Sequence, residues 1–166
     1  CAKSRKGHFE GVLDVLNRFV KMVSPKMMFM GEKDYQQYFI VRDFISKKYN
    51  TKVYPCKTIR GANGMALSSR NKLLGKLDLK TSGLIANELI RLKRLLYSKN
   101  SQNNIGFKKS NELIQKTKAK LKKKFNIKIE YLESRNLIDL STNLHKKPFR
   151  LFISYYLNKV RLIDNF

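Results

Sequence analysis

Between residues 27 and 56 the chain reads as strand, helix, strand, and this order constrains the fold more than any other feature of the sequence. Met27, Met28, Phe29 and Met30 form a short apolar run that ends at Gly31, which predicts a buried strand. Asp34 to Tyr49 then carries Tyr38, Val41, Phe44 and Ile45 at helical spacing. Thr51 to Cys56, with Val53, predicts a second strand. A helical crossover between two strands makes them parallel. Parallel sheets are covered on both faces and usually have more than two strands. Residues 1–58 are therefore expected to be the tail of a larger α/β domain. The chain begins at Cys1, directly before a helix, in keeping with an N-terminal half lying outside these residues. The alternative is a short protein that completes its sheet by dimerising.

The helix before the first strand is predicted over about 10–23, through Val12, Leu13, Leu16, Phe19, Val20 and Val23. Ser24-Pro25 ends it. After residue 58 the pattern changes. Gly61, Asn63 and Gly64 mark a loop, and Ser68-Ser69-Arg70-Asn71 extends it. Thr81 to Ser98 predicts an amphipathic helix through Ile85, Leu89, Leu92 and Leu96. Ser101 to Phe107 is polar and Asn-rich and predicts a loop, with Ser110 able to cap a further helix to about Lys124. Ile127, Ile129 and Tyr131 alternate with Lys128 and Glu130, as in a half-buried strand. Phe149–Leu157 and Val160–Ile163 are two more strand candidates. Helices followed by such strands predict a small α+β domain with an antiparallel sheet over 59–166.

Charge is the property most open to misreading. Lys and Arg number 36 against 12 Asp and Glu, a formal net charge of +24. That points first to nucleic acid. The excess, however, is 26 Lys against 10 Arg, and Lys is a solvated point charge without the planar fork that reads bases. From Lys116 to Lys124 the lysines surround an apolar stripe of Leu113, Thr117, Leu121 and Phe125. This reads first as a solvated helix face, with an anionic partner as the alternative. Tyr155 and Tyr156 near Lys159 and Arg161 are the aromatic residues a nucleic-acid module would use. Cys1 and Cys56 have no metal-type spacing, and neither His8 nor His145 has a second ligand at suitable distance in sequence. No apolar run reaches the length of a membrane span.

Two segments carry possible chemistry. Gly31-Glu32-Lys33-Asp34 lies between the first strand and its helix, and ligands of doubly wound sheets bind at the carboxyl ends of strands. There Gly31 allows close backbone approach, Lys33 offers a cation to phosphate, and Asp34 a carboxylate to ribose hydroxyls. Equally, Asp34 can cap the helix and Lys33 can be solvated; the residues leave both readings open. Leu67-Ser68-Ser69-Arg70 sets two hydroxyls and a guanidinium in succession, a suitable phosphate clamp. With Gly61 and Gly64 upstream, it reads as a loop able to close on a nucleotide. Taken alone it reads more simply as a helix cap by Ser69 beside a surface Arg.

Taken together, these segments resemble the pantothenate synthetase family. Arg5-Lys6-Gly7-His8-Phe9-Glu10-Gly11-Val12 is similar to R-P-G-H-F-x-G-V. Phe29-Met30-Gly31-Glu32-Lys33-Asp34-Tyr35-Gln36-Gln37 is similar to F-G-E-K-D-Y-Q-Q. Ile59-Arg60 and Gly64-Met65-Ala66-Leu67-Ser68-Ser69-Arg70-Asn71 are similar to V-R and D-G-L-A-M-S-S-R-N, and Arg161-Leu162-Ile163-Asp164-Asn165 to R-L-I-D-N. Lys6, Met30 and Asn63 depart from the pattern.

The resemblance implies the C-terminal part of a nucleotidyltransferase-type Rossmann domain (1–58) followed by a small α+β lid domain (59–166). It implies an ATP-dependent ligase of coenzyme A biosynthesis, which joins pantoate and β-alanine through a pantoyl adenylate and releases AMP and pyrophosphate. Gly31, Glu32, Lys33 and Asp34 would belong to the ATP site, with Lys33 on phosphate and Asp34 on ribose. Gln37 would hydrogen-bond pantoate, and Ile59 would meet adenine through its backbone. Leu67, Ser68, Ser69 and Arg70 would clamp phosphates; Lys33, Ser68, Ser69 and Arg70 would stabilise the reacting phosphates. Mg²⁺ would accompany the ATP phosphates, with no metal ligand from the chain. A homodimer when full length, a cytoplasmic location, and no membrane or specific nucleic-acid partner complete the expectation. The family's two-histidine signature and an upstream Gln are absent from these 166 residues, so the chain alone is expected to be inactive. A basic nucleic-acid-binding module and another adenylate-forming nucleotidyltransferase are the alternatives.

Overall fold

The structure, a computed structural model, describes residues 7–101, 107–142 and 148–166. Cys1, Arg5, Lys6 and His145 lie outside the described residues, as does most of the stretch expected to be a loop between Ser101 and Phe107. The chain divides into two compact units, Cys1–Thr58 and Ile59–Phe166. The first is α/β with a parallel strand pair. The second is α+β with a small antiparallel sheet.

In the first unit α1 (His8–Val23) leads through Ser24, in the left-handed conformation, to β1 (Met27–Gly31). A 3-10 turn (Glu32–Asp34) and α2 (Tyr35–Lys48) cross over to β2 (Lys52–Cys56). The strands pair in parallel, Met27 opposite Lys52 through Gly31 opposite Cys56. Thr51 Oγ1 donates to Pro25 O at 2.7 Å, and Lys52 N to Lys26 O at 3.0 Å, which fixes this register from its first residue. Tyr35, Tyr38, Val41 and Ile45 of α2 are buried, as are Val53 and Val20.

The expected burial of β1 does not hold in this chain. Met27 and Phe29 are 56% and 63% exposed, and Tyr54 of β2 stacks on Phe29 with ring centroids 5.7 Å apart. Phe19, Met22 and Val23 of α1 are likewise exposed. One crossover helix covers only one face of a two-stranded sheet, and among the described residues Met27, Phe29 and Tyr54 stay exposed on the other.

The second unit opens with a small hairpin. Arg60 bridges Ala66, Leu67 N donates to Ile59 O and Gly61 N to Met65 O, each at 2.9 Å. Gly64 turns the hairpin at φ +83°, a conformation that favours glycine. The segment expected to be an open loop then winds into a 3-10 helix, Ser69–Leu73. Next come α3 (Lys76–Ser101) and α4 (Phe107–Phe125), then β3 (Lys128–Asn136), β4 (Phe149–Leu157) and β5 (Val160–Asn165) in one antiparallel sheet of order β3-β4-β5. Both helices start earlier than the periodicity predicted. Ser110 is therefore not a cap: it lies inside the first turns of α4 and is buried.

Ile85, Leu89, Leu92 and Leu96 of α3 and Ile114 and Leu121 of α4 share one core with Ile129, Leu132, Leu151, Ile153, Tyr155, Leu157 and Leu162. The alternation read from Ile127, Ile129 and Tyr131 breaks at a bulge. Ile129 pairs with Tyr155, but Tyr131 pairs with Ser154, so Glu130 is an extra residue in β3. A bulge shifts the phase by one residue and sends Tyr131 to the face opposite Ile129.

Candidate functional site

The segment Gly31–Asp34 forms because an apolar strand runs out and a helix begins. Gly31 is the last residue of β1, with φ −67°. A Cβ there would meet nothing within 4 Å, so the unit's own packing does not require glycine. Glu32, Lys33 and Asp34 make one 3-10 turn that feeds α2. Asp34 occupies the position just before α2 but makes no side-chain capping bond. The capping explanation for this residue is therefore set aside, and its exposed carboxylate stays available at the strand's carboxyl end. Gln37 is half-buried in the first turn of α2. Local chain order brings Gly31, Glu32, Lys33, Asp34 and Gln37 to one end of this unit.

In the second unit the segment Leu67–Arg70 is held at both stems. Ala66 and Leu74 are buried, whereas Leu67, Ser69 and Arg70 face solvent. The capping hydroxyl is that of Ser68 and not Ser69: Ser68 Oγ accepts from Arg70 N at 3.1 Å. Asn71 Nδ2 donates to Ala66 O at 3.1 Å, and Asn71 N to Ser68 O at 3.0 Å. These bonds relieve the Ser69 hydroxyl and the Arg70 guanidinium of local structural duties. Ile59 is exposed, and its carbonyl already accepts from Leu67 N. It can therefore offer an edge its N–H and one carbonyl lone pair. The hairpin brings Ile59 and Leu67–Arg70 together within this unit.

Sequence reasoning missed how this segment is anchored. Arg60 Nη1 donates to Gly64 O at 2.9 Å and to Asp164 Oδ2 at 2.8 Å; Nη2 donates to Asp164 Oδ1 at 2.9 Å and to Asn165 O at 2.8 Å. The signal for it was present. Asp164 is an acidic residue directly after the apolar Leu162 and Ile163, and a carboxylate drawn out of water beside them demands a cationic partner.

The aromatic platform considered for nucleic acid is not available as one. Tyr155 is 4% exposed, and its hydroxyl shares a 2.8 Å hydrogen bond with Ser82 Oγ. Burial pushes its pKa up to about 12. Tyr156 donates to Glu130 at 3.2 Å, and Arg161 is ion-paired to the same carboxylate. Tyr155, Tyr156 and Arg161 are thus occupied by neighbours within the second unit, while Lys159 is exposed. Among the described residues no group of three His, Cys, Asp or Glu could hold a metal, and no helix is long and apolar enough to cross a membrane.

The family model described as pantoate-beta-alanine ligase matches residues 1–166. The chain belongs to the pantoate-beta-alanine ligase family. A pantothenate synthetase of Flavobacterium psychrophilum is 34% identical over 167 residues, covering 98% of this chain and 56% of that protein. The crystal structure of pantothenate synthetase from Thermus thermophilus matches with a TM-score of 0.85 at 26% identity, over 99% of this chain and 58% of that one. A pantoate-beta-alanine ligase from Francisella tularensis, described as complexed with beta-gamma ATP and beta-alanine, matches with a TM-score of 0.68 at 32% identity, over 99% and 52%. The chain thus spans about half the length of these pantoate-beta-alanine ligase relatives.

Proposed function

We propose that this chain carries two substrate-binding segments, Gly31–Asp34 in the first unit and Leu67–Arg70 in the second, of an enzyme that turns ATP, pantoate and β-alanine into pantothenate, AMP and pyrophosphate. The observation that carries the reading is the state of the two signature segments. Each includes or leads into a short 3-10 turn with no buried residue, and each turns polar side chains to solvent, Asp34 in one and Ser69 and Arg70 in the other. Neither is shaped by a need of the core.

In this reading a pantoate carboxylate oxygen attacks the α-phosphorus of ATP. An O–P bond forms as the α–β bridging bond breaks, and its electron pair leaves with pyrophosphate. Lys33 and Arg70 offset phosphate charge, the Ser69 hydroxyl donates a hydrogen bond to phosphate oxygen, and the Ser68–Arg70 bond keeps the turn in shape for it. Asp34 accepts from the ribose hydroxyls, Gln37 orients pantoate, and Ile59 meets adenine through its N–H. The β-alanine amine then attacks the acyl carbon, the bond to AMP breaks, and the amine gives up a proton. Positioning and charge stabilisation suffice, with no covalent nucleophile from the chain. Mg²⁺ would be held by the ATP phosphates and would screen their charge.

The 166 residues contain two histidines, His8 and His145, and not the paired signature the resemblance implies. We therefore take the chain by itself to be inactive; the family resemblance supports a cytoplasmic homodimer for the complete enzyme. The test is nucleotide binding by the chain, monitored by amide NMR with Mg·ATP. Shifts confined to Gly31–Asp34, Ile59 and Leu67–Arg70 support the reading. Shifts confined to the α4 lysines reject it in favour of plain polyanion attraction. Pantothenate formation by the chain alone would refute the inactivity.

A further inference from the structure

We infer that Arg60 and Asp164 form a latch that sets the shape of the Leu67–Arg70 segment, making that segment and β5 one mechanical unit. Phosphate binding by Leu67–Arg70 rests on the proposed function; the latch itself rests on geometry.

The exposed stretch from Leu67 to Leu73 buries little of its own. Leu67 and Leu73 are 53% and 71% exposed. Its turn is closed locally by Ser68 and Asn71, and its placement on the unit comes from its stems. One stem is the hairpin Ile59–Leu67, whose turn depends on Gly64 at φ +83°. Arg60 begins that hairpin, and its side chain reaches over it. Nη1 holds the turn carbonyl of Gly64 and Asp164 Oδ2, while Nη2 holds Asp164 Oδ1 and Asn165 O. The guanidinium carbon stands 4.4 Å from the Phe166 ring centroid, and Phe166 pairs with Leu151 in both directions at 3.0 Å. Asp164 is in turn braced by Asn165 N at 2.7 Å.

One planar fork thus joins three points of the chain, two of them more than a hundred residues along from it. A guanidinium can do this because its donors are fixed in one plane, and an ammonium cannot. The pair is mostly withdrawn from water, with side chains 24% and 9% exposed. Such a pair resists partial opening, because losing one partner leaves the other charge uncompensated. The 3-10 turn that presents Ser69 and Arg70 is then held in place by a strand to which it has no sequence proximity. Arg60 and Asp164 are positioning residues: they act through the turn.

The test uses the full 166-residue chain, with Arg60→Lys as the mild variant and Asp164→Asn as the second. Glu88→Gln, which removes a surface pairing between α3 and α4, is the control. Amide hydrogen exchange is read without any ligand, and inorganic pyrophosphate binding is read separately. The latch predicts at least tenfold faster exchange at the Gly61, Leu67 and Asn71 amides in Arg60→Lys. The β3–β4 amides and the control should stay unchanged. It also predicts roughly tenfold weaker pyrophosphate binding, though Arg70 is intact. Unchanged exchange at those three amides overturns the latch, as does an equal loss of protection across the whole unit. If Asp164→Asn does not fold, Arg60→Lys decides alone. If exchange responds but the wild-type chain shows no pyrophosphate shifts at Leu67–Arg70, the latch stands and the phosphate reading fails. If pyrophosphate binds there and exchange does not respond, the phosphate reading stands and the latch fails.

Discussion

Arg161 grips Glu130 from two nitrogens: Nε donates at 2.9 Å, and Nη2 lies 2.7 Å from the same carboxylate oxygen. Glu130 is the extra residue of the β3 bulge, and it also accepts from Ser154 Oγ at 2.7 Å and Tyr156 OH at 3.2 Å. The Arg161 bond, aided by the two hydroxyls and opposed by burial, lowers its pKa to about 2. A depressed pKa contributes stability that is present above the ordinary carboxyl range and is lost as pH falls toward the folded value. Denaturation of the chain should therefore show a loss on the order of 2 kcal/mol between about pH 4.5 and 2 that Glu130→Gln abolishes. An unchanged acid limb in Glu130→Gln would show that other carboxylates govern it.

Tyr155 and Ser82 give a second prediction with the opposite sign. The Tyr155 hydroxyl is held up to about 12 by burial, so stability is full below about pH 10 and falls as pH rises toward that value. Ser82→Ala leaves the hydroxyl buried without its partner and should cost about 1–3 kcal/mol at neutral pH. Tyr155→Phe should remove the alkaline step seen by ultraviolet titration. A Ser82→Ala chain as stable as wild type would mean that the Tyr155 hydroxyl finds another hydrogen-bond partner.

Gly83→Ala should destabilise, against helix propensity. Alanine favours a helix interior by about 1 kcal/mol over glycine. Here, though, the new Cβ would stand 2.8 Å from Asn63 Cβ and 3.0 Å from its Cγ. Asn63 links Leu79 O and Met65 N, so it cannot yield without loosening the hairpin. A cost of about 1–3 kcal/mol is expected from this overpacking. Thermal unfolding decides: a raised Tm means Asn63 moves aside freely.

Removing one cation from each signature segment should weaken Mg·ATP binding independently. Lys33→Ala and Arg70→Ala are each expected to lose about tenfold, or ~1.4 kcal/mol. Arg70→Lys should recover only part, because the planar fork is gone. Calorimetric titration at two salt concentrations separates this from general polyanion attraction, which falls with added salt everywhere on so basic a chain.

The β1-α2-β2 order, the parallel pairing and the antiparallel three-strand sheet were legible from periodicity and crossover logic. These depend on local patterning, and Val41, Ile45, Leu89 and Leu121 fall on the faces that patterning predicts. The exposure of Phe29 was not legible, since an apolar run states a preference and not which partner satisfies it. The bulge at Glu130 escaped because one inserted residue leaves the alternation intact on either side and shifts only the pairing. Ser110 and Ser69 are not the caps the pattern predicted, and Ser68 caps in place of Ser69, for a related reason. Capping depends on where a helix starts, and α4 starts earlier than its strongest periodicity.

The sequence by itself determined the two-part α/β then α+β plan, the two signature segments, and the family to which they belong. Each of these is written in residues close together along the chain. The tertiary structure alone decided which polar groups stay available and which are consumed. Tyr155, Tyr156 and Arg161 are spent on Ser82 and Glu130. Arg60 is held by a strand more than a hundred residues away, and Ser69 and Arg70 are left facing solvent. A side chain's freedom is set by neighbours that only folding brings near, and no local pattern encodes them.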